Sequence, residues 1–104
     1  MKTIISSTGD TLSSNFDLRF GRAAWFCIYD EQNKSTEFIL NEFADAQGGA
    51  GTKAAEKMAS LEAGKVISGH FGPKAKDLLN KLNIQMVALS EENASIEDII
   101  AKIK

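Results

Sequence analysis

The second half of this chain alternates between helical patterns and short apolar runs, and this alternation restricts its fold more than any other feature. Helical spacing of apolar residues occurs over 52–63, after Pro73 and from Ser95, while the runs 65–68 and 84–89 are typical of short strands. Strand–helix–strand units join parallel strands through right-handed crossovers. The pattern therefore predicts an α/β domain whose later strands lie parallel in one sheet.

The first half adds three strand patterns without an intervening helix. They cover Lys2–Ser7, 23–29 and 35–43, and the polar turn 30–34 between the last two predicts a hairpin. The predicted order is β-β-β-α-β-α-β-α, which gives a mixed five-stranded sheet with three helices. A chain of 104 residues fits one domain, so residues 1–104 are assigned to it.

Three local signals set the predicted helix ends. Gly64 is expected to end the first helix, because glycine tolerates the left-handed conformation just after a helix. Pro73 is expected to open the second helix, where its missing N–H does no harm. Ser95 and Asp98 have the spacing of a capping box at the start of the third helix.

Composition excludes several classes of function. The 12 Lys and Arg residues against 14 Asp and Glu argue against a duplex-DNA binder, which needs cations to neutralise phosphates. The single Cys cannot form an internal disulfide, and no apolar run approaches 18 residues. We expect a reduced, cytoplasmic protein with no nucleic acid or membrane partner, either monomeric or a weak dimer through the exposed hairpin edge.

Two glycine-rich stretches, 48–53 and 69–74, precede predicted helices. Ligands of open α/β sheets bind beyond the carboxyl ends of the parallel strands, and helix N-termini there attract anions. The first stretch is not a Walker A loop, and it also fits a flexible connection with close helix–sheet packing. The candidate anion-binding residues are Arg19, Gly21, Arg22, Gly49, Gly51, Lys53, Gly69, His70 and Gly72.

His70 and Cys27 are the candidate metal ligands, since each is the only residue of its type. His70 lies between two glycines beside a helix start, where a neutral imidazole could bind a soft or borderline metal; it also fits a surface histidine. Cys27 lies in the middle of the strongest strand, so it also fits a small buried apolar residue. No nucleophile elbow lies near His70, so we expect no enzyme.

Three blocks of residues together resemble one family. They are 20–23 leading into 26–30, 49–51 followed by Ala54 and Ala55, and 69–75 followed by 79–84. In this order and spacing they resemble the dinitrogenase iron–molybdenum cofactor biosynthesis family, the small NifX- and NafY-type domains that are also fused to the end of NifB. The resemblance covers Lys2 to Leu89. It implies a ribonuclease-H-like fold with a mixed five-stranded sheet.

The resemblance also implies a function. It indicates a non-catalytic binding or carrier protein for an anionic metal–sulfur cluster or thiometallate, with cluster donor and acceptor proteins as partners. The transiently bound cluster would be iron–molybdenum cofactor or its precursor, or a molybdenum–copper sulfide cluster of the kind that the related orange protein holds. One position departs from the family: many members have His just before the Phe-Gly pair, where this chain has Arg19. Arginine can hold an anion by charge but cannot coordinate a metal.

Two other functions stay open at the level of sequence. The glycine-rich stretches would also suit a regulatory module that binds a small anion or a nucleotide. The fold class alone suggests a metal-dependent nuclease, but the acidic cluster that such chemistry requires is not visible in the sequence.

Overall fold

The protein is a mixed five-stranded sheet with helices on both faces. The computed structural model describes residues 1–103. Strands and helices follow in the predicted order: β1 Lys2–Ser7, β2 Trp25–Asp30, β3 Ser35–Leu40, α1 Ala50–Ser60, β4 Ala63–Ser68, α2 Pro73–Lys81, β5 Gln85–Ala88 and α3 Ile96–Ile103. The sheet order is β3-β2-β1-β4-β5. β2 runs antiparallel to β1 and β3, while β1, β4 and β5 are parallel, which confirms the predicted fold class.

Alternation along the strands divides the apolar residues between two cores. On β1, Ile4 faces α1 and α2, whereas Ile5 faces α3. The same alternation separates Val66 from Ile67 on β4. Because side chains of a strand point alternately to opposite faces, each central strand contributes to both cores. The sheet is therefore covered on both sides, and only its ends and edges remain open.

The start and end of α1 differ from the prediction. The helix begins at Ala50 rather than 52 and ends at Ser60 rather than 63. Gly64 does not end it, so that prediction is wrong: Gly64 lies inside β4. Glu62 takes the left-handed position instead, with φ of 60°. The reason is that Ala63 is buried and pairs with Lys2 in the sheet, which requires the chain to turn before residue 63.

The other helix starts follow the sequence signals. Pro73 opens α2. At the start of α3, the Ser95 N–H donates to Asp98 Oδ2 and the Asp98 N–H donates to Ser95 Oγ, both at 3.1 Å. These two bonds form the predicted capping box. The N–H groups of Ile96 and Glu97 donate to the carbonyls of Ser14 and Leu12, so the start of α3 is capped by both side-chain and backbone groups.

All three helices are short. The longest, α1, has 11 residues, whereas a helix needs about 20 to span a bilayer. Within residues 1–103, no helix has the length and apolar character to cross a membrane.

Candidate functional site

Three loops meet at the end of the sheet that is formed by the carboxyl ends of β1, β3 and β4. They follow β1 (8–24), β3 (41–49) and β4 (69–72), and together with the first turns of α1 and α2 they enclose a cleft of about 510 Å³. Most of the predicted anion-binding residues line it, namely Arg19, Gly21, Arg22, Gly49, Gly51, His70 and Gly72. Lys53 and Gly69 are not part of the lining. A volume in this range suits a small ligand or cluster.

Backbone hydrogen bonds join the loop after β1 to the loop after β4. The His70 N–H donates to the Leu18 carbonyl at 2.7 Å, and the Phe20 N–H donates to the His70 carbonyl at 3.1 Å. This bridge continues the parallel β1–β4 pairing beyond the strand ends. Gly69 serves this approach, because a Cβ there would lie 2.6 Å from Leu18 Cδ2. Two walls of the cleft are therefore extensions of the sheet.

Two buried serines fix the point where the first loop leaves the sheet. Ser6 Oγ donates to the Asp17 carbonyl at 2.5 Å and lies 2.7 Å from Ser68 Oγ. The Asp17 N–H returns a bond to the Ser6 carbonyl at 3.0 Å. Because these contacts use only the backbone of Asp17, its carboxylate is available to bind Arg19 at the cleft.

Asp17 holds the guanidinium of Arg19 through both carboxylate oxygens. Arg19 Nε and Nη2 each lie 3.1 Å from the carboxylate, and the Arg19 N–H adds a third bond at 2.9 Å. The hydrogen bond and the charge of Asp17 raise the pKa of Arg19 above its ordinary value. Since Arg19 is 67% exposed and Asp17 only 4%, the pair is an oriented cation at the cleft mouth whose charge is partly balanced.

Arg22 is positioned by backbone carbonyls instead of a carboxylate. Its Nη1 donates to Ala44 O at 2.9 Å and to Ala46 O at 2.5 Å, which ties the loop after β3 to the cleft. Among residues 1–103 the ion pairs are Asp17–Arg19 and Glu91–Lys102, so neither involves Arg22. Arg22 therefore contributes a full positive charge to the cleft.

The N-termini of α1 and α2 both open onto the cleft without side-chain caps. Their N-cap residues are Gly49 and Gly72, neither helix has an acidic residue in its first turn, and Pro73 occupies the first turn of α2. A Cβ on Gly51 would lie only 3.2 Å from Ala75 Cβ, so the two first turns touch. Uncapped N–H groups and the helix dipoles make such an arrangement favourable for an anion. α3, whose start is fully capped, shows the opposite arrangement in the same chain.

Two glycines of the cleft, Gly21 and Gly72, differ in whether the surrounding structure leaves room for a side chain. A Cβ on Gly21 would lie 2.8 Å from the N and Cα atoms of Gly51, so Gly21 is required by close backbone packing against α1. Gly72 has a φ of −65° and nothing within 4 Å of a Cβ built on it. Neither conformation nor packing requires a glycine at position 72. Its missing side chain leaves open space at the cleft wall.

Asn41 supports the cleft, and the sequence reasoning missed it. Its Nδ2 donates to Gly21 O at 3.1 Å and to Ala23 O at 2.8 Å, while its Oδ1 accepts the Phe43 N–H at 3.1 Å. These bonds also explain why β3 ends at Leu40 instead of 43. An Asn directly after a strand is a turn signal, but its distant partners are not encoded locally.

Two of the predicted site residues lie away from the cleft. The Lys53 ammonium sits over the Phe43 ring, 5.9 Å from its centre. Cys27 is fully buried among the residues that face α3, and this burial raises the pKa of its thiol to about 12. A metal ligand must be a thiolate, so the position of Cys27 fits its alternative reading as a small apolar residue.

We expect Cys27 to resist thiol reagents in the folded protein. At pH 8 the thiol is protonated and buried, so modification by a disulfide reagent should be at least about 100-fold slower than in denaturant, which follows from a pKa shift of this size. Absorbance of the released thiolate measures both rates. Rapid labelling of the native protein would show that β2 opens locally and that Cys27 can reach solvent.

His70 is the remaining candidate ligand. Its side chain is exposed at the cleft, while its backbone is fixed by the bridge to Leu18 and Phe20. Within residues 1–103, no group of three or more His, Cys, Asp or Glu side chains is arranged to hold a metal ion. Of the residues that line the cleft, His70 is the one His, Cys, Asp or Glu, so the lining offers a metal species one side-chain ligand of these types beside hydrogen bonds and charges.

The fold and the cleft define a class: a small α/β protein with a cleft at the carboxyl ends of the strands of a mixed sheet, lined by cationic side chains and two uncapped helix N-termini. The chain belongs to the dinitrogenase iron-molybdenum cofactor family, which it matches over residues 1–104. Comparison with curated protein sequences gave no match.

Two solved structures show the similarity in three dimensions. The apo form of the orange protein from Desulfovibrio gigas is 28% identical, with a TM-score of 0.91 over 98% of this chain and 85% of that one. A protein from Thermotoga that has been assigned to NifB and to the DUF35 family is also 28% identical, with a TM-score of 0.83 over 98% of this chain and 85% of that one. Both share the mixed five-stranded sheet that the sequence predicts.

Proposed function

We propose that this protein is a non-catalytic carrier that binds an anionic metal–sulfur cluster, or a thiometallate precursor, in the cleft during assembly of an iron–molybdenum-type cofactor. The observation that carries the proposal is the pair of uncapped helix N-termini, α1 and α2, that touch at the cleft. Family membership and the similarity to the orange protein support the metal–sulfur class of ligand.

The cleft favours binding by charge and hydrogen bonds rather than by a shell of protein ligands. Arg19, Arg22 and Lys74 surround it, and the first turns of α1 and α2 add backbone N–H donors. Sulfide and oxo atoms at the surface of an anionic cluster accept such bonds. His70 offers the one imidazole that could coordinate a metal there. Binding of this kind leaves the cluster's own bonds intact, which suits transfer to another protein.

The residues at the cleft also fit a carrier better than an enzyme. Acid–base or nucleophilic chemistry needs paired titratable groups within hydrogen-bond reach of each other. The hydrogen bonds of His70 to Leu18 and Phe20 involve only its backbone, and the carboxylate of Asp17 is engaged with Arg19. Neither set of contacts forms a nucleophile–base pair.

Anaerobic reconstitution tests the proposal. The apo-protein is incubated with tetrathiomolybdate and copper(I), or with an iron–sulfur cluster donor, and then passed through gel filtration with absorbance and metal analysis. We expect a chromophore that co-elutes with the protein. Lys74→Ala and His70→Ala should each weaken its retention by about tenfold, as the loss of one charged or hydrogen-bonding contact would.

The matched control for Lys74→Ala is Lys76→Ala, which removes the same charge from an exposed position of α2 outside the cleft lining. Equal losses in both variants would indicate non-specific charge attraction and contradict a site in the cleft. Absence of any retained chromophore with every donor, together with thermal stabilisation by inorganic phosphate or a nucleotide, would overturn the cluster assignment in favour of a small-anion module.

A further inference from the structure

Asp17 is a buried carboxylate that is paired with an exposed arginine of the cleft. Its side chain is 4% exposed, against 67% for Arg19. Within residues 1–103, every hydrogen bond to the carboxylate comes from Arg19, whose N–H and Nε donate to Oδ1 and whose Nη2 donates to Oδ2. A buried charge is costly unless it is paired and hydrogen-bonded. This carboxylate therefore depends on a single exposed cation.

The backbone on both sides of this pair is fixed by the sheet. The Asp17 carbonyl accepts a hydrogen bond from buried Ser6, and the Asp17 N–H donates to the Ser6 carbonyl at 3.0 Å. On the other side of the pair, the Phe20 N–H donates to the His70 carbonyl at 3.1 Å. Because these bonds hold the loop without the carboxylate, the bonds from Arg19 to Asp17 act mainly on the orientation of the guanidinium.

The pair changes both the freedom and the charge of Arg19. The bonds to Asp17 occupy Nε and one N–H of Nη2, so both N–H groups of Nη1 remain for a ligand. A mobile arginine loses side-chain entropy when it binds a ligand, whereas an arginine already held by a carboxylate has lost much of it beforehand. Beyond contact distance, the carboxylate offsets the charge of the guanidinium. Arg19 therefore acts on an anion through directed hydrogen bonds more than through long-range attraction.

We propose that Asp17 determines which anions the cleft retains, because it holds Arg19 as a directed donor and removes one unit of positive charge from the cleft mouth. The proposal rests on the function proposed above and adds a selectivity to it. Arg22 and Lys74, which also line the cleft, attract an anion in proportion to its charge. Arg19 responds to the position of the acceptor atoms, so the cleft selects its ligand by shape as well as by charge.

Two thiometallates of equal shape and unequal charge test this selectivity. Tetrathiotungstate carries two negative charges and tetrathiorhenate carries one, and both are tetrahedral anions with sulfide at every corner. Anaerobic equilibrium dialysis with metal analysis gives the dissociation constant of each anion. In Asp17→Asn, the ratio of the two affinities should shift by about fivefold toward tetrathiotungstate, because the second charge of that anion no longer meets the carboxylate. Its binding should also become more sensitive to salt.

The double variant Asp17→Asn with Arg19→Gln separates the charge of the pair from its geometry. It removes one charge of each sign and leaves no buried carboxylate, so it remains usable if Asp17→Asn alone does not fold, which circular dichroism shows. The affinity ratio should stay within about twofold of the original value, while both affinities fall by about tenfold because the fixed donor is lost. Original affinities in the double variant would overturn the proposal.

Asp45→Asn is the matched control for charge. Asp45 is exposed and lines a neighbouring groove with Arg19 and Arg22, and it belongs to neither ion pair of residues 1–103. Its removal should change the affinity ratio by less than about twofold, since solvent and salt screen an exposed charge.

The outcomes separate this selectivity from the proposed function itself. A purely structural role of Asp17 would change stability and both affinities alike and would leave their ratio unaltered. An unaltered ratio in Asp17→Asn, or an equal shift in Asp45→Asn, would therefore overturn the role of Asp17 while leaving the cluster site in place. Failure of the original protein to bind either anion would contradict both proposals.

Discussion

Replacing Gly21 with alanine should lower the free energy of unfolding by about 2 kcal/mol, the usual cost of forcing extra volume into a packed site. The new Cβ would lie 2.8 Å from the N and Cα atoms of Gly51. Backbone atoms at the start of a helix cannot rotate away as a side chain can, so α1 must move as a unit. Denaturant titration followed by the fluorescence of Trp25, the single tryptophan, measures the change.

Gly72→Ala is the matched control, because the same methyl group is added at another glycine of the same cleft. Its φ of −65° suits alanine and the Cβ meets nothing within 4 Å. Stability should be unchanged or higher by up to about 1 kcal/mol. Retention of a thiometallate should nevertheless fall, since the methyl group narrows the open space beside α2. If Gly21→Ala were as stable as the original protein, the close packing of Gly21 on α1 would not be a constraint on the fold.

Asn41→Asp should have the larger effect on stability, about 3 kcal/mol at pH 7, because it buries a negative charge that keeps only one of the three hydrogen bonds of Asn41. The substitution keeps the shape of the side chain but replaces the Nδ2 donor with an oxygen that faces the carbonyls of Gly21 and Ala23. Asn41 is only 5% exposed, so water cannot replace the lost bonds.

The pH dependence of this variant has a definite sign. Burial and two facing carbonyls favour the protonated acid, so the folded pKa of the new aspartate should lie above its unfolded value. The penalty is then smallest below the unfolded pKa and grows as the pH rises through the folded pKa. Unfolding of the variant and the original protein, compared at pH 4 and pH 7, should show a smaller difference at pH 4. An equal difference at both values would contradict an ionised carboxylate as the cause.

The sequence predicts the fold well because its signals are local. Apolar spacing distinguishes helices from strands, and Ser95 with Asp98 marks a helix start through groups three residues apart. The predicted end of α1 is wrong because a distant contact overrides a local signal there. Gly64 satisfies the local rule for a helix end, but Ala63 is already committed to pairing with Lys2, and Glu62 accepts the strained conformation instead.

The candidate site is predicted only in outline. Glycine-rich stretches at helix starts locate the cleft, since topology brings the carboxyl ends of parallel strands together. The sequence does not show that Asp17 holds Arg19 or that Asn41 holds Gly21, because the second contact spans 20 residues and both depend on how the loops fold back. It likewise cannot separate Lys74, at the cleft, from Lys53, which lies over Phe43.

The backbone bonds of His70 to Leu18 and Phe20 limit which walls of the cleft can move when a ligand binds or dissociates. Two sides of the cleft belong to the hydrogen-bonded sheet and can open only with it, whereas the loop after β3 is fastened by the side chains of Arg22 and Asn41. Of these, the Arg22 bonds are exposed to water and are the easier to break. The loop after β3 is therefore the part of the cleft that is displaced most easily: it reaches the cleft at Gly49, and the exposed Arg22 bonds to Ala44 and Ala46 and the Asn41 contacts hold it in place.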